Sequence, residues 1–156
     1  MASIDTLISV AEECVGMNLK ECVKHFDTSD PGVDWCAWFV RQCGAKADMN
    51  FGSSNTASKL WGLNGNFAFV GSNFPKEGDL AFIDPKGNDN ITHIGIISEI
   101  TDDQIITVEG NMSGDTIYDS IVKNGKQRWT RGYKRYKETS GLIEWKECQI
   151  FHSIFT

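Results

Sequence analysis

The sequence predicts an α+β fold in which N-terminal helices pack on a C-terminal antiparallel β-sheet. Up to Leu63 the apolar residues recur at helical spacing, as Ile4, Leu7, Ile8, Ala11, Cys14 and Val15 do. After Pro75 they gather instead into short runs split by turn residues. Helices followed by strands place the helices together on one face of a sheet built from hairpins. Length agrees, because 156 residues with 40% hydrophobic content make one domain with a real core.

Residues 3 to 16 form the first expected helix, with Glu12 and Glu13 on its polar side and Ser3 three places before Thr6. A second, short helix is expected over Asn18 to His25 after the Gly16 break; His25 reads as a surface residue. Phe26 to Gly32 is a polar loop in which Asp27 and Asp30 serve as turn formers. The same loop is a calcium candidate through Asp27 and Asp30, although it lacks the acidic series of an EF-hand. The next helix is expected over Asp34 to Cys43, with Asp34 as N-cap and Gly44 just past the end. Asn55 to Leu63 gives one more short helix. Strands are then expected at Asp79 to Ile83, Thr92 to Ile100, Gln104 to Glu109, Thr116 to Lys123 and Trp129 to Tyr136, with a further one at Leu142 to Ile150.

Charge and composition exclude several classes. A net charge of −6 argues against nucleic-acid binding. The cationic residues Lys123, Lys126, Arg128, Arg131, Lys134, Arg135 and Lys137 read as a solvated surface. No apolar run is long enough to span a membrane, and no secretory signal opens the chain. The five cysteines (Cys14, Cys22, Cys36, Cys43 and Cys148) lack zinc-site spacing. Cys36 and Cys43 on one helix are separated by roughly 10 Å, beyond disulfide reach. Cys14 with Cys22 is left as an open pairing, and a reduced, cytoplasmically made chain is the expectation.

Chemistry is expected where the helical half meets the sheet. Cys36 falls in the first turn of its helix, where unpaired N–H groups and the helix dipole favour thiolate, the attacking species. Its spacing with Phe39, Val40 and Cys43 also suits a core position, so partners elsewhere decide its role. The strands Thr92 to Glu99 and Gln104 to Asn111 form a hairpin through Thr101-Asp102-Asp103. If pairing centres on residue 101, His93 lies opposite Glu109; if it centres on residue 102, His93 lies opposite Asn111. In both registers His93, Glu109 and Asn111 share a face, whereas a slip of half a step breaks the arrangement. An imidazole, a carboxylate and a carboxamide are what a cysteine nucleophile needs: His93 to move the proton, and Glu109 or Asn111 to orient the ring.

The blocks Trp35-Cys36-Ala37-Trp38-Phe39-Val40, Gly78-Asp79-Leu80-Ala81-Phe82, His93-Ile94-Gly95-Ile96 and Glu109-Gly110-Asn111 resemble the signature blocks of the CHAP family, cysteine- and histidine-dependent amidohydrolases and peptidases. The resemblance covers approximately residues 5 to 136. It implies a papain-like fold, a catalytic domain over residues 1–136, and a C-terminal extension over 137–156 that adds a strand or hairpin to that domain. It assigns Cys36 as nucleophile, His93 as base, Glu109 as the residue orienting the imidazole and Asn111 as a further member of the site, with the Cys36 N–H as an oxyanion donor.

The implied reaction is hydrolysis of a peptidoglycan amide bond, by an N-acetylmuramoyl-L-alanine amidase or a peptide-bridge endopeptidase of the phage-lysin or autolysin kind, with no cofactor. Some relatives bind calcium just before the cysteine helix, but here Trp38 stands where they have an acidic ligand. Trp35, Trp38, Trp61 and Trp129 are expected walls of a substrate groove. Wall targeting is expected from a separate binding domain or subunit, the enzyme acting after release or as a module of a longer exported protein. Two alternatives stand beside this reading. One is a peptidase of the NlpC/P60 type, disfavoured by the Glu-Gly-Asn ending; the other is a silent wall-binding or interaction module of the same fold.

Overall fold

The computed structural model describes residues 2–32, 35–61, 67–71, 75–83, 91–102, 105–110, 118–120 and 130–136. The helices are α1 (Ile4–Glu13), α2 (Leu19–Phe26), α3 (Cys36–Lys46) and α4 (Ala57–Trp61). The strands are β1 (Phe67–Gly71), β2 (Leu80–Ile83), β3 (His93–Ile100), β4 (Ile105–Glu109), β5 (Tyr118–Ser120) and β6 (Thr130–Tyr136). They form one antiparallel sheet in the order β1-β6-β2-β3-β4-β5. This is the α+β, papain-like arrangement that the sequence predicts.

The first two helices start where short polar side chains satisfy their free N–H groups. Ser3 accepts the Thr6 N–H at 3.1 Å, and Asn18 with Glu21 closes a reciprocal capping box at the head of α2. The third helix departs from expectation at both ends. Its N-cap is Trp35, which offers no side-chain hydrogen bond, rather than Asp34, which lies outside the described residues. Its C-terminus runs past Gly44 to Lys46, so Gly44 is an interior residue and not a terminator. The physical reason is close approach: a Cβ on Gly44 would lie 2.7 Å from the Phe51 ring. Termination falls to Asp48 at φ 59°, where Asp48 N–H donates to Ala45 O and Met49 N–H to Gly44 O, the double bond of a Schellman motif. Beyond it Arg41 ties down the following loop through Gly52 O and Asn55 Oδ1.

Strand β1 is an element that the sequence reading did not include. Its apolar run Phe67-Ala68-Phe69-Val70 follows Asn64-Gly65-Asn66 in the sequence, and it finds its partner only at β6, far along the chain. Residues 142–150, where another strand is expected, lie outside the described residues, as does the whole 137–156 extension.

The core joins helices to sheet. Leu7, Ala11, Phe39 and Val40 pack with Leu80, Phe82, Ile94, Ile96 and Val108. A side chain such as Phe39, wholly removed from water, contributes about 1.5–3 kcal/mol. The alternate pleat is also buried, at Ala81, Ile83, Ile97 and Ile105, so β2 and β3 are apolar on both sides. Before β2, Gly78 at φ 89° lies against Ile4, and Asp79 accepts the Lys76 N–H at 2.8 Å, making the Gly78-Asp79 turn that aims the strand. Among the described residues no helix is long and apolar enough to cross a membrane.

Candidate active site

Cys36 is the first residue of α3 and His93 the first of β3, so both sit where an element begins. The Cys36 side chain lies beside the His93 ring, close enough to act on its protonation, and so joins the helical half of the chain to the sheet. His93 is 14% exposed and Cys36 4%. The ring Nε2 lies 2.7 Å from Oε1 of Glu109, which is fully buried. The contact is close but bent, an ion pair more than a linear hydrogen bond. Burial favours the neutral ring, yet hydrogen bonding and charge from Cys36 and Glu109 outweigh it and raise the His93 pKa to about 9.

How His93 and Glu109 come to share a face is decided inside the hairpin. Next to the turn, Ile100 pairs with Ile105 and Glu99 with Ile106. Continued unchanged, that register would set Glu109 opposite Ile96, on the face away from His93. A β-bulge at Ser98 intervenes, after which Ile97 pairs with Thr107 and Ile96 with Val108. One further step in the corrected register puts Glu109 beside Gly95, on the His93 side. The pairing centre at this end is therefore residue 102, and Glu109 reaches His93 diagonally rather than from directly opposite.

Two residues that the sequence reading did not single out complete this corner. A Cβ on Gly95 would fall 2.4 Å from Glu109 Cγ, so the glycine leaves the room in which the carboxylate side chain lies. Thr107, fully buried, donates its hydroxyl to Glu109 Oε2. The signal for Thr107 was present in the sequence: it precedes Glu109 by two, the strand period.

The other expected site residues separate. Asn111 and Trp129 lie outside the described residues. Trp35 and Trp38 are each 2% exposed; their rings meet edge to face at 6.3 Å, and Trp38 also abuts Phe26. Trp35 further lies against Gly110, just past Glu109. Trp61 is half-buried against Phe82. The calcium candidate loop, Phe26 to Gly32, lies within the described residues. Asp27 closes α2 in the left-handed conformation, Asp30 accepts the Gly32 N–H at 2.7 Å, and Trp38 is in the core. No group of three or more His, Cys, Asp or Glu suited to a metal occurs among the described residues.

A family model described as the CHAP domain matches residues 28–111, just over half of the chain. The chain belongs to the CHAP family. The matched span opens in the loop before α3, ends just past β4, and includes Cys36, His93 and Glu109. No curated protein matched the sequence. CHAP domains are in general hydrolases of the amidase or peptidase type, and the thiol, imidazole and carboxylate of this site are groups suited to that chemistry.

Proposed function

We propose that this CHAP domain is a peptidoglycan hydrolase that cleaves an amide bond through Cys36 and a thioester acyl-enzyme. The observation that supports this is the chain of contacts from Cys36 to His93 to the buried Glu109. With the ring pKa raised to about 9, His93 is imidazolium at neutral pH, the positive charge that a cysteine nucleophile needs beside it to attack as thiolate.

The thiolate attacks the amide carbonyl carbon, and the tetrahedral oxyanion forms beside the free N–H groups at the start of α3, that of Cys36 among them. The imidazolium gives its proton to the leaving nitrogen as the C–N bond breaks, which leaves a thioester and a neutral ring. That ring then takes a proton from water as the hydroxide adds to the thioester. Collapse expels the Cys36 thiolate and releases the acid, and the imidazolium is restored. Glu109 holds the ring orientation and balances its charge throughout, with Asn111 as a further member of the site. Trp61 is the described tryptophan with surface left to offer a stem peptide or sugar, and wall targeting falls to a separate domain or subunit.

The test is clearing of purified cell walls by the full chain and by Cys36→Ala. Clearing is expected to fall on the order of 10³-fold or more while circular dichroism is unchanged. Undiminished clearing by the variant would end the reading. Mass spectrometry of the released fragments separates the two bond types, because a free muramoyl lactyl carboxylate marks the amidase and a new bridge amine marks the endopeptidase.

A further inference from the structure

We propose that Thr107 is a positioning residue of this site: its hydroxyl, by donating to Glu109 Oε2, turns the carboxylate so that Oε1 faces the His93 ring. The inference builds on the reading of Cys36 and His93 given above.

The terminal torsion of a glutamate is broad and roughly two-fold, so its covalent structure does not fix the rotation of the carboxylate plane. Here three contacts constrain it. Gly95 admits the Cγ and Cδ atoms over β3, Thr107 engages one oxygen, and His93 stands 2.7 Å from the other. Thr107 and Glu109 are both fully buried and lie two apart on one strand, where the side chains share a face. A threonine hydroxyl has a single proton to donate, and in this geometry it goes to the carboxylate. A hydrogen bond donated to a carboxylate favours its charged form, and Glu109 is one of the groups that raise the His93 pKa. Thr107 touches neither Cys36 nor substrate in this scheme; it acts through Glu109.

The experiment compares Thr107→Val, Thr107→Ala and Thr107→Ser in the full chain. The titration of the His93 ring is followed by NMR in the absence of substrate, its resonance assigned by loss in His93→Gln. Turnover is measured on soluble peptidoglycan fragments. Val and Ala are both expected to lower the His93 titration midpoint and to cut kcat about ten- to a hundredfold, with KM little changed, while Ser restores both. Two variants without the hydroxyl are used because valine adds a methyl beside the carboxylate and alanine does not. The proposal is overturned if the His93 midpoint stays at its wild-type value in the folded Val or Ala variant, or if Ser behaves like Ala. A fall in activity without a change in titration would mark Thr107 as packing only. Because the titration is read without substrate, its outcome is independent of the Cys36→Ala clearing assay that tests the underlying reading.

Discussion

The two ends of α3 carry the same side chain in opposite circumstances. Cys36 at the N-terminal end meets an imidazole backed by a carboxylate. Cys43, two turns later, is sealed in the core with Cys14 and Cys22, all three wholly buried. Burial pushes the Cys43 thiol well above its ordinary range, with the neighbouring Cys14 adding to the effect. Hydrogen bonding to Cys22 and then burial drive Cys14 up as well. All four of these cysteines are free thiols, so the open Cys14–Cys22 pairing is a thiol contact and not a disulfide. One helix thus separates two thiol chemistries by about 10 Å, and the neighbours on adjoining elements, not the residue type, make the difference.

The strongest way to break the comparison is to remove what distinguishes the N-terminal end. Glu109→Gln keeps the shape but not the charge, and turnover is expected to drop about 10²–10⁴-fold with Cys36 still in place. The same variant should flatten the pH dependence of stability. A His93 pKa of about 9 in the fold, against 6.5 for an ordinary histidine, means a stabilising contribution fully present below pH 6.5 and lost as pH rises through 9. Urea midpoints measured from pH 6 to 10 should fall over that interval in the wild type and much less in Glu109→Gln. An equal slope in both proteins would remove Glu109 from the account.

Alkylation sharpens the contrast from the side of the thiols. Iodoacetamide at pH 7, with labelled peptides quantified by mass spectrometry, should modify Cys36 on the order of tenfold or more faster than Cys14, Cys22 or Cys43. Equal rates in the folded protein would mean that His93 does not activate the thiol. The smallest effect belongs to the C-terminal end. Gly44→Ala crowds Phe51 and is expected to cost about 1–3 kcal/mol in denaturant unfolding while leaving turnover per folded molecule unchanged.

Much of the fold is legible in the sequence because each level of local physics agrees with the next. Ser3 and Asn18 announce helix starts, apolar spacing marks the buried faces of α1 and α3, and β2, β3 and β4 fall within a residue of the expected strands. Legibility fails where a residue acts on something distant in sequence. Gly44 looks like a helix terminator until Phe51 is laid against it. The β1 strand is a short apolar run whose meaning depends on β6. Trp35 and Trp38, expected beside a substrate, are taken up by the core, as large aromatics usually are.

The sequence by itself determined the order of helices and strands, the placing of Cys36 at the head of a helix and of His93 at the head of a strand, and the family. These follow from periodicity, caps and short motifs, which are properties of neighbours along the chain. Tertiary structure decided that His93 and Glu109 share a face, because strand side chains alternate and a register error of one residue would have turned Glu109 away. The bulge at Ser98 makes that correction. Gly95 and Thr107 then fix where the carboxylate lies, through contacts that exist only once β3 and β4 have paired.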